Sequence, residues 1–354
     1  MLPKLELLAK LSSAFGPSGC EDNVADLIIA ELSSACDEIV RDKLGSVIAK
    51  ISGSGAASTL LAASMDEASF MITSVEDSGY LKLEPLCKID PKALTARRLI
   101  VGDETKQKLG VVTSKPVHLQ NDGDRKSAPD ADKVFIDLGV STKDEALKHA
   151  DKGSFAVFNN NFVLRENSAT GKALDSRTPV ALVIDEAKRI SAEKQSGKVP
   201  AGDVYFVFAT KEKAGMSSLP SASYGIRPDR IIVVDFCVDD HLPKSKEHTS
   251  HAKLGNGPFI PLMDTGALYT NMPLHPEILA VAEREGIPHQ IGRGMNANSF
   301  GRANSAGRAN LAADGITIAA ISVPIKNPHT QNCIMNISDY QNTAKLLAAV
   351  VRGK

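Results

Sequence analysis

Between Glu67 and Glu166 the chain gives up one rhythm for another, and that change restricts its fold more than any other feature. On either side, helix-spaced apolar segments alternate with short apolar runs. Inside the interval the runs SFMITSVE, YLKLEPL, RRLIVG, KLGVVTS, KVFIDLG and SFAVFNNNFVL follow one another, most of them bounded by Gly, Pro or Asp clusters. A single helical pattern, Thr142 to Ala150, interrupts them. Short strands in succession build antiparallel barrels or sandwiches, whereas strands alternating with helices build open sheets covered on both faces. The expectation is an α/β protein. A doubly wound mixed sheet forms from 1–66 and 167–354, and a small β-barrel, 67–166, is inserted in it.

In the flanking parts, helices are expected over Leu2 to Phe15, Glu21 to Cys36, Thr178 to Lys194, His275 to Glu285 and Ile337 to Val351. Strands are expected near Glu38 to Arg41, Ser46 to Ile51, Ser58 to Asp66, Val204 to Thr210, Arg230 to Phe236 and Gly315 to Val323. The segment Gly292 to Asn310 repeats Gly-Arg-Ala-Asn and reads as a long exposed loop. A chain of 354 residues suits two domains better than one core. Its 41 basic and 42 acidic residues leave a net charge of −1, which argues against nucleic acid or an anionic membrane as the main partner. No stretch approaches the roughly 18 apolar residues of a membrane span. Charges run through the opening MLPKLELLAKLSSAFG, which suits an amphipathic helix rather than a signal peptide. Cys20, Cys36, Cys87, Cys237 and Cys333 are scattered, odd in number and without a C-x-x-C pair. They fit reduced thiols, hence a cytoplasmic location.

Polar clusters stand at strand ends or in adjoining turns: Ser64-Met65-Asp66-Glu67, Asp175-Ser176-Arg177, Glu212-Lys213, Asp235 and Pro328-His329-Thr330. In an open α/β sheet such ends converge on one crevice. Carboxylates and a histidine gathered there suggest metal-assisted hydrolysis, in which a cation polarises a carbonyl and acidifies a bound water. Capping and turn carboxylates would give the same composition.

At these residues the chain resembles the tetrahedral (TET-type) metallo-aminopeptidases, a group that includes glutamyl and deblocking aminopeptidases and proteins labelled endoglucanase. The similarity runs through FGPSGCED, DKLGSVIAK, ASMDEASFMI, GVVTSKPVHL, FIDLG, GKALDSR, ATKEKAG, the strand ending at Asp235 and SVPIKNPHT, in that order. It implies a zinc-aminopeptidase type of sheet with a barrel that contributes to dimer contacts, a dodecameric homo-oligomer, peptides as substrates, and a pair of divalent ions, zinc or cobalt. It also implies that Asp175 bridges the two ions, that Asp235 and His329 are further ligands, that Glu212 is the general base and that Asp66 orients a ligand.

Two ligand positions depart from that pattern. Ser64 stands where the family's Ala-His-Met-Asp-Glu has its histidine, and Lys213 where its Glu-Glu pair has the second glutamate. A serine hydroxyl stays neutral and binds zinc poorly. A protonated lysine has no lone pair. At about 4 Å and an effective dielectric of 20, each unit of charge product is worth about 4 kcal/mol, and glutamate to lysine reverses its sign. Lys213 therefore reads as a counter-ion for the clustered carboxylates, with Glu212 either its partner or the retained base. Gly294-Met295-Asn296, Lys326-Asn327-Pro328-His329-Thr330 and the surroundings of Cys333 depart from the family as well.

The expectation is an aminopeptidase-like protein that keeps the fold but lacks a tightly bound two-metal centre. It would have weak or no peptidase activity and act as a structural or regulatory subunit, in a homo-oligomer or mixed with active relatives, or as a peptide binder. The alternative is an active aminopeptidase with one or two ions and Glu212 as base. Lesser candidates are His248 and His251 in a polar loop, Cys237 near Asp235, and Arg293, Arg302 and Arg308 as an anion site. For each, a solvated or buried structural role is the competing reading.

Overall fold

The computed structural model describes residues 5–123, 134–159, 161–215, 217–243, 252–264, 267–270, 272–293 and 305–353. The chain enters through two amphipathic helices, α1 (Glu6–Ser13) and α2 (Asp22–Leu32). Leu8 and Leu11 of the first, and Val24, Ile28 and Leu32 of the second, repeat at helical spacing and are buried. Three strands follow: β1 (Glu38–Arg41), β2 (Val47–Ile51) and β3 (Ser58–Ser64).

The barrel comes next. It consists of β4 (Ser69–Val75), β5 (Leu81–Pro85), β6 (Arg98–Gly102), β7 (Gln107–Thr113), β8 (Phe135–Asp137) and β9 (Phe155–Phe158). They close in the order β4-β5-β8-β7-β6-β9, every pair antiparallel. Inward residues, among them Phe70, Ile72, Leu83, Leu99, Val101, Val112, Ile136 and Phe158, form a core separate from that of the main sheet. The helix between β8 and β9, α3 (Lys143–Leu147), is shorter than the Thr142–Ala150 pattern suggested. Thr142 is its N-cap and accepts from Glu145 N, so the pattern's first residue caps the helix and stays outside it.

The main sheet resumes with β10 (Val163–Leu164) and β11 (Ser168–Gly171), then α4 (Leu174–Gln195), β12 (Asp203–Ala209), α5 (Leu219–Ile226) and β13 (Arg230–Val238). It continues with β14 (Phe259–Asp264), β15 (Ala267–Leu268), α6 (Leu274–Arg284), β16 (Gln290–Arg293), α7 (Ser305–Ala309), β17 (Thr317–Lys326), β18 (Cys333–Asn336) and α8 (Ile337–Arg352). The principal order is β1-β2-β12-β3-β13-β17-β18-β11-β10, with β14, β15 and β16 branching from β17. Its four central strands, β12-β3-β13-β17, run parallel, while β2 and β18 flank them antiparallel. The central strands are continuous apolar runs because helices cover both faces of the sheet. The fold is thus the expected mixed α/β sheet with a closed barrel.

Three local readings need correction. Gly292–Asn310 is not all loop, because Ser305–Ala309 forms α7; residues 294–304 lie outside the described residues. The strands β11, β14, β15, β16 and β18 were not anticipated, and the run SFAVFNNNFVL divides into β9 of the barrel and β10 of the main sheet. The helix α5 was missed as well, since Pro220, Ser221, Ser223 and Gly225 give LPSASYGI little helical character.

Candidate functional site

The parallel strands β12, β3, β13 and β17 point their C-terminal ends the same way. The chain leaves β3 for β12 on one side and later β13 on the other, so the strand order reverses beside β3. Ser64 ends β3 in register with Ala209, the last residue of β12. The turn after β12 delivers Glu212 and Lys213, the turn after β17 delivers His329, and the first turn of α4 delivers Asp175.

These turns share a backbone feature that composition does not reveal. Ala173, Lys211, Asn327 and His329 have φ of 58°, 61°, 54° and 57°, the left-handed region that non-glycine residues avoid. Each lies within two residues of a crevice side chain or is one itself. Gly215, with φ 72°, completes the turn after β12, and its N–H donates to Glu212 O.

The side chains meet at Lys213, which is only 7% exposed. Its Nζ donates to Asp175 Oδ2 at 2.8 Å and lies 3.0 Å from His329 Nε2. The Phe236 ring lies beneath the ammonium, its centroid 4.8 Å away, a cation–π contact. That ring also meets the His329 imidazole edge-on at 6.0 Å. Burial alone would release the lysine's proton, but the Asp175 charge overrides it and holds the pKa above the ordinary lysine value. Burial likewise opposes ionisation of Asp175, yet Lys213 and then His329 hold its pKa below the ordinary carboxylate value. Both shifts favour a closed ammonium–carboxylate pair.

His329 is neutral in this arrangement. Burial first, then the Lys213 charge, pushes its pKa down to about 4. Its Nδ1 lies 3.1 Å from the carbonyl oxygen of Lys88, which can only accept, so Nδ1 carries the hydrogen. Nε2 is therefore a lone-pair acceptor facing Lys213. Nε2 and Asp175 Oδ2, 3.4 Å apart, are both acceptors, and the ammonium lies between them. Cys333 Sγ donates weakly to the other Asp175 oxygen at 3.8 Å.

Asp66, fully buried, anchors the lysine's backbone. Its Oδ2 accepts from Lys213 N at 2.8 Å and from Ser18 Oγ at 2.5 Å. Burial raises its pKa to about 6, against the pull of Ser18 and Lys213. Glu212 is close enough for its charge to add to that rise. Glu21 Oε1 accepts from Lys211 N at 2.8 Å, and burial followed by the Asp66 charge raises the Glu21 pKa to about 7.

Asp235 sits three residues before the end of β13, half-buried. Its Oδ1 accepts from the N–H of Phe236, whose ring packs under Lys213. Asp66, Asp175, Lys213 and His329 thus gather in one knot, with Glu212 close enough to act on Asp66 and Asp235 linked to it through the neighbouring Phe236.

A second knot joins Glu67 and Arg177, both in clusters read from the sequence, with Lys172, which was not singled out. Glu67 receives Lys172 Nζ on both oxygens at 2.6 Å, and its Oε1 also accepts from Gly16 N at 3.1 Å and Arg177 Nη2 at 3.4 Å. Gly16 must lack a side chain here, since a Cβ would lie 2.7 Å from Arg177 Nη2 and 2.6 Å from Val24 Cγ2. The available signal was the set of charges in MDE and in the small-residue stretch GKALDSR, with the glycines of FGPSG as the backbone they approach.

Of the lesser candidates, His248, His251 and Arg302 lie outside the described residues. Arg293 is exposed at the end of β16, and Arg308 donates to the backbone oxygen of Gly215 at 3.1 Å, bracing the turn that carries Lys213. Cys237 is buried against Ala252 and Phe259.

As placed here, the crevice side chains hold an ammonium where the resemblance implies a divalent ion. The lone pairs of Asp175 Oδ2 and His329 Nε2, which such an ion would take, are directed at a protonated amine held by both. Among the described residues, no three His, Cys, Asp or Glu side chains are placed to hold a metal ion.

Architecture and crevice together define the class: an exopeptidase-type α/β sheet with an inserted barrel. A structure of a TET aminopeptidase from the marine sediment archaeon Thaumarchaeota archaeon SCGC AB-539-E09 superposes with a TM-score of 0.91 at 26% identity, covering 99% of this chain and 96% of that one. The TET1 peptidase of Pyrococcus horikoshii, described as assembling into a tetrahedron or a large octahedral shell, superposes with a TM-score of 0.85 at 28% identity over 98% of both chains. A lysyl aminopeptidase of Pyrococcus furiosus is 29% identical over 355 residues, 98% of this chain and 96% of that one. The sequence profile of the M42 glutamyl aminopeptidases matches residues 45–346, and the chain belongs to that family.

Proposed function

We propose that this protein is an M42-family member that holds peptides in an aminopeptidase crevice but cleaves them weakly or not at all, serving as a structural or regulatory subunit or a peptide binder. One observation carries the reading: the Lys213 ammonium sits between Asp175 and His329, 2.8 and 3.0 Å from the atoms that would hold an ion. A dication entering there would meet a fixed positive charge, and each unit of charge product costs about 4 kcal/mol at about 4 Å and an effective dielectric of 20. Lys213 is also held at its backbone by Asp66 and braced by Phe236, so swinging it aside breaks several contacts at once.

As to assembly, we propose that the barrel, β4 to β9, makes contacts between copies in a homo-oligomer or a mixed shell. Leu109 and Val111 on β7, with Val117 and Leu119 just after it, are exposed apolar side chains on that unit. The tetrahedral or octahedral shell described for the Pyrococcus horikoshii relative, and the dodecamer described for PhTET1-12s, are the precedents for a dodecamer or larger particle. All five cysteines are free thiols, which favours a reducing, cytoplasmic setting. Among the described residues no helix is long and apolar enough to cross a membrane.

The test is metal analysis of protein purified with zinc or cobalt present, followed by assays on leucyl-, glutamyl- and lysyl-anilides. Sub-stoichiometric metal and background turnover are expected. A stoichiometric ion together with robust turnover would sink the reading and restore an active aminopeptidase with Glu212 as general base. The reciprocal experiment is S64H with K213E, which returns a histidine and a carboxylate to the crevice and is expected to raise metal uptake.

A further inference from the structure

We infer that Lys213 is a tethered internal cation that locks the barrel onto the α/β sheet through His329, so that the seam between the two units closes without any divalent ion. The inference deepens the reading above and rests on it for the site's history, but its own support is geometric. His329 belongs to the turn after β17, and Lys88 to the barrel loop after β5. The imidazole spans the seam, with Nδ1–H donating to Lys88 O at 3.1 Å and Nε2 accepting from Lys213 at 3.0 Å. Two residues on, Gln331 Nε2 donates to Asn159 O just past β9, so the same turn grips the barrel twice.

Lys213 orients that imidazole. A neutral histidine with both nitrogens engaged has one tautomer and one ring orientation. Without the ammonium, Nε2 would face the bare Asp175 carboxylate 3.4 Å away, acceptor against acceptor. A ring that turns away from that carboxylate loses the hydrogen bond to Lys88. The backbone of the turn is also strained, with Asn327 and His329 both left-handed, and such conformations persist only where side-chain contacts over-determine them. The Asp175–Lys213–His329 set supplies those contacts. The orienting charge that a metal ion can give a ligand histidine is here part of the polypeptide.

The test is amide hydrogen exchange on the full-length chain, read over residues 86–94. In this loop Leu86, Lys92, Ala93 and Leu94 donate hydrogen bonds whose protection reports local opening. Wild-type exchange there is expected to be the same in EDTA and in added zinc chloride. In K213M these amides are expected to exchange about tenfold faster or more, as expected for loss of a local tie, while β13 and β17 change much less. K213M combined with D175N is expected to regain part of the protection, because an asparagine amide at 175 can donate to His329 Nε2. An unchanged 86–94 loop in K213M, or acceleration spread evenly over the whole chain, overturns the lock. If K213M alone does not fold, the double variant and the chelation arm decide: wild-type protection lost in EDTA overturns the inference. Peptidase turnover by wild type alongside the expected exchange pattern would remove the proposed function and leave the lock standing.

Discussion

Two buried lysines sit on opposite flanks of the Asp66-Glu67 step and face different surroundings. Lys172 pairs with both oxygens of Glu67, at 2.6 Å, and shares that carboxylate with Arg177. Burial pushes its pKa down; Glu67 opposes that shift and Arg177 reinforces it. Lys213 is as deeply placed, yet its pKa is pushed up, because Asp175, and behind it Asp66, outweigh burial. One knot is saturated with cations and closed on the backbone of Gly16 and Ala14. The other is an anionic seat that a single amine fills. The same residue type is therefore one of several supports in the first place and, among the described residues, the cation that Asp175 holds by a hydrogen bond in the second. This difference supports reading Lys213 as occupying a seat shaped for a cation.

The strongest challenge to the comparison is removal of each amine. K213M leaves the buried Asp175 carboxylate without its hydrogen-bonded cation, and a broken buried pair costs about 3–5 kcal/mol. Urea unfolding should show that loss. K172M should cost less, about 2–3 kcal/mol, because Glu67 keeps Arg177 Nη2 and Gly16 N. Equal or reversed losses would show that the two lysines do the same work.

A third carboxylate sharpens the contrast through pH. Folded Glu21 keeps its proton up to about pH 7, whereas an ordinary glutamate loses it near 4.5. Between those values the folded state binds more protons than the unfolded chain, so stability falls as pH rises through the window. From about pH 5 to 7 the fall amounts to about 2 kcal/mol. E21Q should remove that part of the wild-type slope, measured by urea midpoints across the range. An E21Q profile parallel to wild type would mean that Glu21 is ionised throughout. At the small end stands R352A. The pair of Arg352 with Glu193, at 2.6 Å, is more than half exposed on the arginine side, so its loss should cost under about 1 kcal/mol in the same assay.

Much of the architecture was legible because it is local. The apolar runs of β12, β13 and β17 and the helical spacing of α2, α6 and α8 are read from neighbouring residues, and the structure bounds them within a few positions. The change of rhythm near Glu67 placed the barrel strands for the same reason. The helix α5 escaped because its composition opposes its conformation, and α7 because Gly, Ala, Arg and Ser give no apolar stripe. In the candidate site, Asp66, Asp175, Lys213 and His329 were all picked out, and the structure brings them together. Lys172 was not picked out, since a single lysine beside a glycine carries no sign that it will be buried.

The sequence by itself determined the order of the elements, the strand ends that carry polar residues and the presence of a serine at 64 and a lysine at 213 among them. These follow from hydrophobic period and residue chemistry, which act over a few residues. Only the tertiary structure decided which carboxylate the lysine would meet. Glu212 is its neighbour in the chain, but Asp175, 38 residues away, is its partner, and a backbone carbonyl of the barrel fixes the tautomer of its histidine. Those choices depend on how parallel strands align their ends and on left-handed turns at Ala173, Lys211, Asn327 and His329. Non-glycine residues take up such turns only where distant packing and buried charge hold them.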